Sequence, residues 1–114
     1  PAHKLDLCEA SDIQFRTDVR ILGLEPVAGI TVNRVHGSRQ SIEKVVSQFN
    51  PDIETMEGAS VAYVCQKFDV PWVQIRSISN KVEPRNRDAW NIPLALNNLD
   101  EVVVSYLNNL LDEA

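Results

Sequence analysis

The chain has 114 residues, 44% of them apolar and 24% charged, with 11 Lys and Arg against 16 Asp and Glu for a formal net charge of −5. That length allows one small domain and argues against two, since domains usually need about 100–150 residues each. The acidic balance disfavours nucleic acid, whose phosphates are held by clustered Lys and Arg.

Residues 1–26 carry no clear pattern: acids, Cys8, and a short apolar piece from Val19 to Leu24 that stops at Pro26 and is the only candidate for an early strand. They contain no signal-peptide pattern, and no apolar run in the chain approaches the roughly 20 residues of a membrane span, so no membrane partner is expected. The chain opens on Pro1 and its single Met is Met56. Removal of an initiator Met before Pro accounts for that, and so does a chain that is part of a longer protein.

From Val27 the pattern sharpens. Val27 to Val35 is β-branched and bounded by Gly37-Ser38, which predicts a strand. Ser41 to Phe49 places Ile42, Val45, Val46 and Phe49 at helical spacing, with Ser41 and Glu43 at its start and Asn50-Pro51 as its stop. A short strand at Ile53 to Thr55 leads into Glu57-Gly58. The helix predicted from Gly58 to Phe68 has Val61, Val64, Cys65 and Phe68 on one side, and its small residues allow close packing on a sheet. Asp69-Val70-Pro71 is the turn, Trp72 to Ile78 the next strand, and Lys81 to Asp88 a polar, Pro-broken loop. Pro93 to Leu111 is a long amphipathic helix with a stripe of Leu96, Leu99, Val103, Leu107, Leu110 and Leu111.

Strands alternating with helices predict an α/β fold with a parallel or mixed sheet and flanking helices. So narrow a parallel sheet leaves edges that need covering. Either another chain completes the sheet or part of the domain is missing, and the expectation is one incomplete domain over residues 1–114. The two cysteines, Cys8 and Cys65, form neither a disulfide framework nor a metal quartet, which points to a reduced cytoplasmic setting.

Ligands of parallel sheets bind beyond the carboxyl ends of the strands. That rule selects Arg34 to Ser38, Thr55 to Gly58, and Ser77 to Asn80 with the loop that follows. Glu57 falls at a strand-to-helix junction, where a carboxylate suits the paired hydroxyls of a ribose. It equally suits an acid that meets only the helix dipole. Arg76 interrupts an apolar strand and so needs an acidic partner, either a ligand-site group or a structural Glu. Asn80 is either a ligand contact or an ordinary turn residue. His36 reads as a polar loop residue as readily as a ligand contact, and Cys65 as a small core residue. Arg85 and Arg87 form either an anion clamp or a solvated loop. Trp72 and Trp90 read as packing residues. No phosphate-cradling Gly-rich loop and no metal-ligand spacing occurs, so neither metal nor cofactor is expected.

Ile53 to Val64 (IETMEGASVAYV) followed by Val70 to Asn80 (VPWVQIRSISN) resembles the nucleoside phosphorylase superfamily, and within it the nucleosidase branch. The continuation Asn80 to Trp90 (NKVEPRNRDAW) is similar to futalosine hydrolases, which act in menaquinone biosynthesis. The resemblance runs from about Gly29 to Leu111 and implies a purine nucleoside as substrate and a homodimer as the assembly. It implies that Met56 packs against the ribose, Glu57 holds its hydroxyls, and Arg76 helps Glu57 position the attacking water. Val35 and His36 fall near the purine-lining segment, and Ser79 joins Asn80 at the base. The family's water-activating Glu comes from an N-terminal half that residues 1–26 do not match, and the family domain is longer than this chain.

Asn80 stands where adenine-specific nucleosidases place Asp. An Asn amide is no general acid, yet its NH₂ can donate to N7 or to a 6-oxo group, which favours hypoxanthine. The expected reaction is hydrolysis of the N-ribosidic bond of futalosine, with Arg85 or Arg87 meeting the substrate's carboxylate. The alternatives are a methylthioadenosine/adenosylhomocysteine nucleosidase, a nucleoside phosphorylase, or a catalytically silent binding or association half-domain.

Overall fold

A computed structural model describes residues 14–21 and 23–114. Cys8 and Leu22, part of the early apolar piece, lie outside the described residues. The described elements are β1 (Gly29–Thr31), α1 (Arg39–Phe49), β2 (Ile53–Thr55), α2 (Gly58–Lys67), a 3₁₀ turn (Arg87–Ala89) and α3 (Ile92–Glu113). The fold is mixed α/β, with a parallel two-stranded sheet and three α-helices among the described residues. The chain divides into two compact units. One takes in the described residues up to Val35 with Pro51–Val73, the other His36–Asn50 with Gln74–Ala114.

In the first unit β1 and β2 pair in parallel with Gly29 opposite Ile53, Ile30 opposite Glu54 and Thr31 opposite Thr55. The entrance to the sheet is clipped from both sides. Asp52 accepts the Ala28 amide on its carboxylate at 2.8 Å, and its own N–H donates to the Ala28 carbonyl at 2.8 Å. Gly29 is tightly placed, since a Cβ there would stand 3.3 Å from Ile53 Cγ1. β1 is shorter than the strand predicted over 27–35, because ladder pairing reaches only the stretch that faces β2.

Helix α2 packs on β1 through small residues. Gly58 and Ala62, four apart, are its buried positions, whereas Val61, Val64 and Phe68 are exposed. The buried stripe is therefore the small one. Close approach to a sheet selects residues that let backbone and strand meet, and the larger apolar side chains are turned outward. The helix ends as the Asp69-Val70-Pro71 turn predicts. Asp69 takes the left-handed conformation at φ 52°, its N–H donates to Gln66 O, and the Val70 N–H donates to Cys65 O at 2.9 Å. This is a Schellman closure with Asp in the place glycine usually holds. Phe15 meets Tyr63 edge-on with ring centroids 6.3 Å apart, and Lys67 lies over the same Tyr63 ring.

In the second unit α1 begins at Arg39, two residues earlier than its apolar spacing indicates. Its N-cap is Ser38, not Ser41. The Ser38 hydroxyl accepts the Ser41 N–H, and Ser41 answers from the third helical position by accepting the Ser38 N–H. A local pair of serines thus satisfies two otherwise orphaned groups. Asn50 closes the helix in the left-handed region at φ 43°, ahead of Pro51. Helix α3 is capped by Asn91, whose side-chain oxygen accepts the Leu94 N–H at 3.1 Å. Its inner face is Ala95, Leu99, Val102, Val103 and Tyr106, a helical progression that shares only Leu99 and Val103 with the predicted stripe. Leu96, Leu107, Leu110 and Leu111 are exposed.

The strand predicted over Trp72 to Ile78 is not formed; those residues belong to no ladder. The apolar pattern supplies the propensity, but a strand exists only through a paired neighbour. The segment is held instead by side chains and by α3. Thr17 donates its hydroxyl to Trp72 O, and Ser77 donates its hydroxyl to Ala95 O at 2.6 Å.

Candidate functional site

The turn from β2 into α2 carries Met56 and Glu57, both exposed. Glu57 occupies the N-cap position of α2, yet its side chain makes no capping hydrogen bond. The amides it would ordinarily take are already held. Ala59 N–H donates to the Thr31 hydroxyl of β1 at 2.9 Å, and Ser60 N–H donates to the Glu57 backbone carbonyl at 3.1 Å. The carboxylate stands at the positive end of the helix without being spent on it. Both roles the residue type allows are compatible with this geometry, since an acid can meet the helix dipole without a capping bond. Thr31 in turn lies 3.1 Å from the Thr55 hydroxyl, and Thr55 donates to Ile30 O at 3.2 Å.

Val35, the remaining candidate of the first unit, follows the sheet as an exposed residue. The second unit holds His36, Arg76, Ser79, Asn80, Arg85 and Arg87. His36 is half-buried, and Arg85 comes to its neighbour Gly37, donating its backbone N–H to Gly37 O at 3.2 Å. The basic loop and the His36-Gly37 corner are thereby joined. Arg87 lies over the ring of the exposed Trp90 at 5.9 Å, a cation–π contact.

Ser79 and Asn80 form a local polar pair. Ser79 donates its hydroxyl to Asn80 Oδ1 at 2.7 Å, and Asn80 Nδ2 donates to Lys81 O at 3.0 Å. One amide proton of Asn80 is left over after these bonds. The pair is anchored by α3, since the Asn91 N–H donates to Ser79 O at 2.8 Å. Arg76 departs from expectation. It is exposed, and its guanidinium donates to Gln74 Oε1 at 3.0 Å instead of a carboxylate. The predicted strand does not form around it, so the burial that would demand an acidic partner does not arise.

Sequence reasoning gave no individual role to Thr31, Thr55, Ser77 or Asn91, although Thr55 and Ser77 open two of the ranges selected above. The one local signal for the first two was a hydroxyl side chain at the same end of both parallel strands. Among the described residues no His, Cys, Asp and Glu gather in a group that could hold a metal. No helix among them is long and apolar enough to cross a membrane.

A strand-to-helix junction presenting an uncommitted acid, and an Arg-Ser-Ile-Ser-Asn segment fixed by a following helix, are the parts that the Met-Glu and Arg-x-Ile-Ser motifs describe. The chain belongs to the phosphorylase superfamily, whose family model matches residues 14–108. A futalosine hydrolase of Acidothermus cellulolyticus is 36% identical over 85 residues, which is 72% of this chain and 35% of that protein. An aminodeoxyfutalosine nucleosidase of Helicobacter pylori is 48% identical over 48 residues, 42% of this chain and 21% of the relative. A 5′-methylthioadenosine/S-adenosylhomocysteine nucleosidase of Haemophilus ducreyi is 31% identical over 98 residues, 81% of this chain and 42% of the relative. The chain thus spans between 21% and 42% of the length of these three relatives. No solved structure matches the chain significantly.

Proposed function

We propose that the chain supplies the sugar- and base-binding side of a purine-nucleoside N-ribosyl hydrolase, with futalosine as substrate and hypoxanthine as the departing base. In this reading water attacks the anomeric carbon as the bond to the purine breaks, through an oxocarbenium-like state. The Glu57 carboxylate accepts hydrogen bonds from the ribose hydroxyls, and Met56 packs against the sugar. Asn80 donates its remaining amide proton to the base and stabilises the negative charge that develops as the base leaves. Arg76 orients the attacking water with Glu57, Val35 and His36 line the purine, and Arg85 or Arg87 meets the carboxylate of the substrate. The assembly is a homodimer.

The observation that carries this reading is the N-cap carboxylate of Glu57, which does not cap. The named activities of the relatives support N-ribosidic hydrolysis as the reaction class. The choice of a 6-oxopurine rests on Asn80, whose Oδ1 accepts from Ser79 and whose Nδ2 keeps one proton to donate to the base after its bond to Lys81 O.

A second reading, a 6-aminopurine nucleoside, is favoured by the Haemophilus relative, whose match covers 81% of this chain. Incubating the chain with futalosine and with methylthioadenosine, with and without phosphate, separates the two. Hypoxanthine from futalosine without phosphate is the expected product. Adenine alone favours the second reading, a need for phosphate favours phosphorolysis, and no product favours a binding or association role.

A further inference from the structure

Thr31 and Thr55 link the end of the sheet to the start of α2 through their hydroxyls. Thr55 donates towards Ile30 O at 3.2 Å and lies 3.1 Å from the Thr31 hydroxyl, a contact in which either oxygen can be the donor. In both cases Thr31 Oγ1 keeps a lone pair for the Ala59 N–H, which it accepts at 2.9 Å. Ala59 is the second residue of α2, and its amide is one of those that an N-cap side chain ordinarily binds. The N-cap residue is Glu57, and its carboxylate makes no such bond. A hydroxyl on a neighbouring strand, 28 positions away in sequence, has taken over the task.

We propose that Thr31 is a positioning residue for Glu57: by capping α2 from β1 it keeps the Glu57 carboxylate from folding back onto the Ala59 amide. This rests on the reading of Glu57 as the group that holds the ribose hydroxyls. Without the Thr31 hydroxyl, the nearest strong acceptor for an unpaired helix amide is the carboxylate at the N-cap itself, and a charged acceptor binds such an amide well. The acid would then be committed to the helix and withdrawn from the sugar.

The test measures binding of inosine and 2′-deoxyinosine to the full chain as wild type, Thr31→Val, Thr31→Ser and Glu57→Gln. Thr31→Val is expected to cut the preference for inosine over the 2′-deoxy compound about tenfold, the scale of a lost hydrogen bond to a charged group. Thr31→Ser restores it. A role confined to stability would weaken both nucleosides alike. The Ala59 amide resonance gives a second readout that needs no ligand. Glu57→Gln should move it several-fold further in the Thr31→Val background than in the wild type, because there the carboxylate has become the cap. Equal responses in the two backgrounds, or an unchanged nucleoside preference, overturn the proposal.

If neither nucleoside binds, the ribose reading of Glu57 fails while the amide comparison still decides the capping exchange. Should Thr31→Val not fold, Glu57→Ala decides alone. It leaves the thermal midpoint in place if Thr31 is the cap, and a fall of roughly 4–8 °C, the scale of a lost N-cap, overturns the idea.

Discussion

Glu57 and Asn80 do different work in the proposed chemistry, and their surroundings differ to match. Glu57 is exposed and its carboxylate does not cap its helix, which suits a group that must exchange water for sugar hydroxyls at each turnover. Replacing it by Ala should lower hypoxanthine release by roughly 10²–10³, the loss that follows removal of one preorganised transition-state contact. Near-normal turnover would take Glu57 out of the site. Asn80 is half-buried and held at both ends of its amide, so the orientation of its remaining donor is set before the base arrives. Asn80→Asp exchanges that donor for an acceptor or an acid. The ratio of inosine to adenosine cleavage should therefore fall, and an unchanged ratio would separate Asn80 from base choice. The position of Glu57 was legible because a strand ends and a helix starts around it. Its freedom was not, since the group that releases it, Thr31, is a tertiary neighbour that no local pattern exposes. Arg76 was misread for a related reason: its burial was inferred from a strand whose pairing the sequence cannot supply.

At the scale of elements, the sequence was most readable where a structure closes on itself. Asn50-Pro51 and Asp69-Val70-Pro71 stop their helices where their own backbone chemistry dictates. The capping box of α1 is equally local, although the apolar spacing drew attention to Ser41 and away from Ser38. Ser38→Ala should destabilise the chain by about 1 kcal/mol, since it removes an N-cap acceptor and breaks the reciprocal bond from Ser41. Urea titration followed by circular dichroism measures this, and a loss under about 0.3 kcal/mol would mean the box contributes little. Strands and buried faces were less readable, because both depend on what lies opposite. β1 is as long as β2 allows. Residues 72–78 lack a ladder altogether. In α2 the small residues meet the sheet as expected, with Gly58 and Ala62 buried, whereas in α3 a stripe of large residues was expected inside and Ala95 is the buried one. Apolar spacing locates a helix face well, but the size of residue that fits it is set by how closely the neighbour approaches.

For the molecule as a whole, the buried apolar residues among those described are Val45, Ala62 and Ala95. Many larger ones, including Phe49, Val64, Phe68, Leu96 and Leu111, are exposed. Unfolding such a chain uncovers little new surface, and the steepness of denaturant unfolding scales with that surface. The chain by itself should unfold in urea with a slope at or below about 1 kcal/mol per molar, the low end for small domains. A steep cooperative transition at low protein concentration would contradict this. A slope that rises with protein concentration would show that association covers the apolar residues.

The two compact units are threaded through one another along the chain: the first is interrupted by His36–Asn50, and the second resumes only at Gln74. A break at any single peptide bond within the described residues therefore divides at least one unit. Glu57 and Asn80 travel with different units, yet neither unit is a contiguous stretch that could be inherited by itself. Shuffling between homologous genes at one crossover cannot exchange the segment bearing Glu57 while leaving the unit bearing Asn80 wholly parental. With the roles proposed for these two residues, changes in base preference and in sugar handling are expected to accumulate by point substitution within a lineage, and chimaeras made at one junction to mix the ancestry of at least one unit.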